Sequence, residues 1–271
     1  TRGCLRASSL LPRIGGVADA SLCRITYAQA RSYAILGVDM SFAATVQARY
    51  SFTAQYIVGA VLLARRAQAI ETESELSPTA RAEHRAYVVG AILQASAAIE
   101  AELAEVVQHG PGHFLGSDGL DVSAREFLRP IAPVVDRISG VLERWNATIH
   151  ILRRERLEKN SQPYQDAQLL IGLRNELVHY RSNWDGAMTS SAVLRGLIAK
   201  QLAPPLFFGE NVNAFPHKIL GAACAEWAAL TAAAYIDEAS DRLCGRSPLD
   251  GHRQAGADFA NMVPSRRKVA R

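Results

Sequence analysis

Val88-Val-Gly-Ala-Ile-Leu-Gln-Ala-Ser-Ala-Ala-Ile-Glu-Ala-Glu-Leu-Ala-Glu-Val106 decides the fold class of this chain. Val88, Ile92, Ala95, Ile99, Leu103 and Val106 recur at steps of three and four, which on a 3.6-residue repeat draws one apolar stripe along one face. Upstream, Ser77-Pro78 supplies an N-cap and a proline for the first helical position; downstream, His109-Gly-Pro-Gly-His113 is a breaker. A helix from Pro78 to Gln108 follows, too long and too alanine-rich for a strand.

The same reading extends in both directions. Toward the N-terminus, a helix is predicted over Phe42–Ala69 with Ser41 as its cap, separated from the next by the acidic break Glu71-Thr-Glu-Ser-Glu75. Toward the C-terminus, a loop covers 109–122 and Ser123-Ala-Arg-Glu126 reads as a capping box. Pro130 and Pro133 delay a long helix over Val134–Glu158, and Pro163 opens another that runs to Arg181. A shorter helix is predicted around 190–202, an irregular stretch from Pro204-Pro205 to Pro216, and a last helix over His217–Leu243. Alanine and leucine dominate, and no strand pattern or internal repeat emerges. The expectation is an all-α antiparallel helical bundle of five to six helices with one core over residues 39–245.

Charge and cysteines narrow the class. Residues 1–38 carry five arginines against Asp19, and residues 252–271 carry five basic residues against Asp258. The stretch between them holds 20 basic and 24 acidic residues, so the basic balance belongs to the ends, and global charge gives no argument for nucleic acid. Residues 1–38, rich in Arg and Ser and followed by the first methionine, Met40, are expected to be a disordered or artefactual arm; residues 246–271 read as a flexible basic tail. Cys4, Cys23, Cys224 and Cys244 lack metal-site spacing, which argues against zinc and disulfides and suits a reducing cytoplasm. No membrane span is expected, since Ile57–Ala64 is short and stopped by Arg65-Arg66, and 219–235 is interrupted by Glu226.

Chemistry concentrates in Leu169-Leu-Ile-Gly-Leu-Arg-Asn-Glu-Leu-Val-His-Tyr-Arg181. Leu170, Leu173, Leu177 and Tyr180 follow the spacing of a packed seam, and Asn175 and His179 stack one turn apart. Arg174 lies about 140° round the helix from His179, close enough for a long guanidinium to share a pocket. Arginine holds phosphate, histidine moves protons near neutral pH, and an amide orients either. The competing reading ties helices together through the same polar groups.

Arg174-Asn175-x-x-x-His179 resembles the R-x4–6-H motif of the HEPN superfamily. Ala91–Glu100 is similar to that family's early helix, with a polar residue facing the site, and the resemblance covers roughly residues 80–243. It implies a HEPN-like bundle, a two-fold homodimer and a metal-independent endoribonuclease needing no cofactor. The 2′-hydroxyl would attack the adjacent phosphate to leave a 2′,3′-cyclic phosphate and a 5′-hydroxyl. His179 would serve as general base or acid, Arg174 would hold the phosphate and Asn175 would orient its neighbours. Arg181, Arg153, Arg154 and Tyr180 are candidate RNA contacts, with Arg156 beside them. A defence or toxin role with an antitoxin partner is implied by the family alone. In the branch silenced by nucleotide addition a tyrosine stands two residues past the histidine; here Tyr180 is adjacent and Arg181 takes that place. Two alternatives stand beside this reading: a non-catalytic module of the same fold that binds a nucleotide or protein, and a bundle whose Arg174, Asn175 and His179 form a core polar network.

Other constellations are weaker. Glu176-x-x-His179 is half of a di-iron signature with no second copy, since Glu105 and His109 are four apart. His109, His113 and Asp118 surround a Gly-Pro-Gly break that would not align them. Trp145, Trp184 and Trp227 read as core or interface anchors.

Overall fold

The computed structural model describes residues 51–73, 76–112, 122–179, 191–205, 207, 214–255 and 257–264. Among them there are ten α-helices and no strand. They are α1 (Thr53–Glu71), α2 (Pro78–His109), α3 (Val122–Leu128), α4 (Ala132–Val135), α5 (Val141–Ile151), α6 (Gln162–Val178), α7 (Ala192–Ala199), α8 (Ala222–Leu243), α9 (Asp250–Ala255) and α10 (Ala257–Met262). The all-helical expectation is met, whereas the helix count exceeds five to six because short helices stand where loops or a tail were read. Phe42–Arg49, the Ser41 cap, Trp184 and residues 1–38 lie outside the described residues.

α2 carries the fold. Ser77 Oγ accepts from the Ala80 N–H at 3.1 Å, Pro78 sits in the first turn, and Gly110 ends the helix at φ 87°. Val88, Ile92, Ala95, Ile99, Leu103 and Val106 are all buried, as the periodicity requires. α1 returns antiparallel along it: the Phe52 N–H donates to Glu105 Oε1 at one end, and Glu71 meets His84 at the other. α8 packs on both, and its buried Ala225, Ala228, Ala229, Ala232 and Ala233 let backbones approach closely. α2 is long and apolar enough to cross a membrane by length and composition alone, and half of that apolar stretch is buried inside the fold.

The structure departs from the sequence reading at three points. The long helix over Val134–Glu158 is broken: α4 ends at Val135, Gly140 takes φ 84°, and α5 stops at Ile151. α3 begins at Val122, one residue before Ser123. The last helix begins at Ala222 rather than His217, because Phe215 is extended and Gly221 is the N-cap. Glu71 replaces the missing side-chain cap, with its Oε1 accepting from the Ala222 N–H at 2.7 Å.

Beyond Gly245 the chain is packed through Val263. Leu249 and Val263 are buried, with Phe259 beside the imidazole of His252. Arg253 fixes this segment: its guanidinium donates to both Asp237 oxygens at 2.9 and 2.8 Å, and its Nε donates to the Val263 carbonyl at 2.9 Å. Trp145 is a core anchor, fully buried, with Nε1 donating to the Ile99 carbonyl at 3.2 Å. Trp227 is partly buried against the same core.

Candidate functional site

α6 is built to bury one face and show the other. Ser161 precedes it, Pro163 fits the first turn, and Tyr164, Ala167, Leu170 and Leu173 face the core. Its partner α7 is held close through reciprocal small–large contacts: a Cβ on Gly172 would stand 2.7 Å from Val193, and one on Gly196 would stand 2.8 Å from Leu169. Lys200 and Asp166 pair across the same two helices. The helix stops earlier than Arg181. His179 is its C-cap, and the His179 N–H donates to the Asn175 carbonyl at 2.9 Å. Of the predicted seam, Leu170 and Leu173 are buried and Leu177 is half-buried; Tyr180 lies outside the described residues.

Arg174, Asn175 and His179 therefore occupy the last turn on the solvent side, and none lies in the core. Arg174 is partly buried, while Asn175 and His179 are exposed. Arg174 Nη1 donates to Asn175 Oδ1 at 3.0 Å, so the amide orients the arginine while its link to His179 runs through the backbone. Arg174 Nη2 lies 3.8 Å from Glu100 Oε1 of α2, beyond hydrogen-bond length. Glu100 closes the segment Ala91–Glu100, and sequence reading had no way to single it out from the polar residues around it.

Glu176 turns away from the trio and accepts from Ser191 Oγ at 3.4 Å. With Leu173, Val193, Leu194, Leu197 and Phe215 it borders an apolar nook of about 10 Å³, room for no more than a water. A larger cleft of about 300 Å³ lies among α1, α8 and α10, with alanines on its floor and Arg65, Gln68, Glu226 and Asn261 at its rim.

Of the candidate RNA contacts, Arg153 and Arg154 stand apart from the trio. Arg153 and Arg154 are exposed on the loop between α5 and α6, which leads into the first turn of a helix about 25 Å long whose last turn bears the trio. Neither arginine is hydrogen-bonded or ion-paired to the trio. Arg181 and Tyr180 lie outside the described residues.

Two polar clusters escaped sequence reading. His84 is buried and its Nε2 pairs with Glu71 Oε1 at 2.7 Å, with the Phe207 ring edge-on to the imidazole. Next to it, Arg85 approaches Nδ1 of His217 at 3.4 Å, and burial lowers the arginine's pKa. The second cluster joins α5, α6 and α8. Tyr164 donates to Glu143 at 3.0 Å, and its pKa is pushed up to about 12 by burial and by that carboxylate. The glutamate is itself held below its usual range, chiefly by Lys159. Compared with protein-family models, curated proteins and solved structures, the chain matches none.

Proposed function

We propose that this bundle is a metal-independent endoribonuclease of the HEPN type. The reading rests on the chemistry of three side chains, and one observation carries it: Arg174, Asn175 and His179 stand together on the exposed last turn of α6, with the arginine oriented by the amide. A polar network meant only to tie helices would be expected inside, with its groups consumed by one another. In the proposed reaction Arg174 holds the non-bridging phosphate oxygens through its fork. The 2′-oxygen attacks phosphorus and the 5′-oxygen departs. His179 takes the proton from the 2′-hydroxyl or returns one to the leaving oxygen.

On a single chain Asn175 and His179 are exposed and Arg174 is partly so, and the reading therefore includes a second copy that closes the cleft and excludes water. The test is cleavage of single-stranded RNA in chelator by wild type, His179→Ala and Arg174→Ala, alongside light scattering to measure mass. Wild type should yield 2′,3′-cyclic phosphate ends as a dimer, and each variant should lose at least about a hundredfold in rate. Equal cleavage by wild type and His179→Ala, or none by any form, removes the proposal.

A further inference from the structure

We propose that the loop Leu152–Glu158 is a preformed binding surface for the phosphate backbone of single-stranded RNA. α5 ends in a hydrogen-bonding pattern that normally calls for glycine. The Arg153 N–H donates to the His150 carbonyl at 2.9 Å, the Arg154 N–H donates to the Ile149 carbonyl at 3.0 Å, and the residue in the left-handed conformation is Arg153, at φ 56°. An L-residue with a long side chain is strained there, and glycine would be free of that strain. The loop is then locked from below. Asn146, buried on α5, accepts from the Leu157 N–H at 2.9 Å and donates to the Leu157 carbonyl at 3.2 Å, while the Leu157 side chain is buried.

This anchoring leaves Arg153, Arg154 and Arg156 exposed within four residues. Of the two acids in the loop, Glu155 is drawn off by Arg242 at 2.8 Å, and Glu158 stands at its far end, beyond the arginines. The Arg153 and Arg154 side chains make no hydrogen bond or ion pair with any described residue, and Arg156 lies within electrostatic reach of the Glu143 carboxylate. Guanidinium forks match phosphate oxygens, and a rigid loop does not have to be ordered on binding. A lipid surface fits less well, because Leu157 is buried and Leu152 packs partly against the core, which leaves no fully exposed apolar side chain to insert. The choice of RNA among polyanions rests on the ribonuclease reading.

The test measures binding of a labelled single-stranded RNA by fluorescence anisotropy in chelator, with the full chain carrying His179→Ala throughout so that no strand is cut. Three phosphate contacts predict a slope of log affinity on log salt of about −2. Arg153→Gly should flatten that slope by about 0.7 and weaken binding by about tenfold. Relief of strain in the same variant should raise Tm by about 2–4 °C. Gln201, at φ 52° after α7, is the control: Gln201→Gly should raise Tm similarly and leave binding unchanged. Unaltered binding by Arg153→Gly overturns the proposal, as does equal or tighter binding to phosphatidylserine vesicles. Absence of cleavage with this binding series intact counts against the α6 site alone; cleavage with a flat series counts against the loop alone.

Discussion

Arg174 has two claimants for its guanidinium. Asn175 takes Nη1 at 3.0 Å, and Glu100 stands 3.8 Å from Nη2 with both side chains partly exposed. A pair of that length and exposure contributes little to stability, about 0–1 kcal/mol. It matters more as competition, because a carboxylate beside the fork repels the phosphate that Arg174 is proposed to hold. Glu100→Gln should therefore lower KM for RNA by about two- to fivefold, the equivalent of losing one exposed ion pair, with kcat nearly unchanged. Initial rates across RNA concentration check this, and an unchanged or higher KM would exclude Glu100 as a competitor. At this scale the sequence was informative about which residues share a turn, since 174, 175 and 179 are fixed by helical geometry. It was silent on Glu100, because contacts between helices depend on crossing angles that no local spacing encodes.

Among the elements, α9 and α10 show how much one side chain can hold. Six-residue helices have no stability of their own. Arg253 joins them to α8 through two bonds to Asp237, one to the Val263 carbonyl and one to Asp250 at 3.2 Å. Burial pushes the Asp237 carboxyl up even with the guanidinium pulling it down, so without Arg253 the desolvation is opposed mainly by the hydrogen bond from Ser247. Arg253→Ala should cost about 3–5 kcal/mol in urea unfolding, whereas Arg253→Met with Asp237→Leu should recover most of it. Equal losses in the single and double variants would show that the hydrogen bond to Val263, rather than the ion pair, does the anchoring. The tail was unreadable in sequence for the same reason: an ion pair across 16 residues leaves no periodicity. α2 was readable because its cap, its proline, its stripe and its terminal glycine are all local. The break before α5 had a local signal too, in Ser139-Gly140.

For the molecule as a whole, the junction of α5, α6 and α8 ties the candidate site to the core. Tyr235 lies between Trp145 and Tyr164, with ring centroids 6.2 and 6.4 Å away, and Tyr164 is held by Glu143. Burial raises the Tyr235 hydroxyl well above the ordinary tyrosine range, and Tyr164 reaches about 12. In the unfolded chain both tyrosines ionise near pH 10. Above that pH the unfolded state sheds protons that the folded state retains, so stability falls as pH rises, for Tyr164 through about 12. Glu143 acts with the opposite sign. Its lowered pKa contributes stability that is present above about 4.5 and lost as pH falls further. The Tyr235 hydroxyl has no hydrogen-bond partner among the described residues, so Tyr235→Phe should be neutral or slightly stabilising at pH 7. Tyr164→Phe forfeits its bond to Glu143 and should cost about 1 kcal/mol there. Tm followed by circular dichroism from pH 8 to 12 should fall less steeply above pH 10 in both variants, and least steeply in the two combined. An alkaline limb in the double variant as steep as that of wild type would mean that other groups drive the high-pH loss, and that this junction does not set the upper pH limit of the fold.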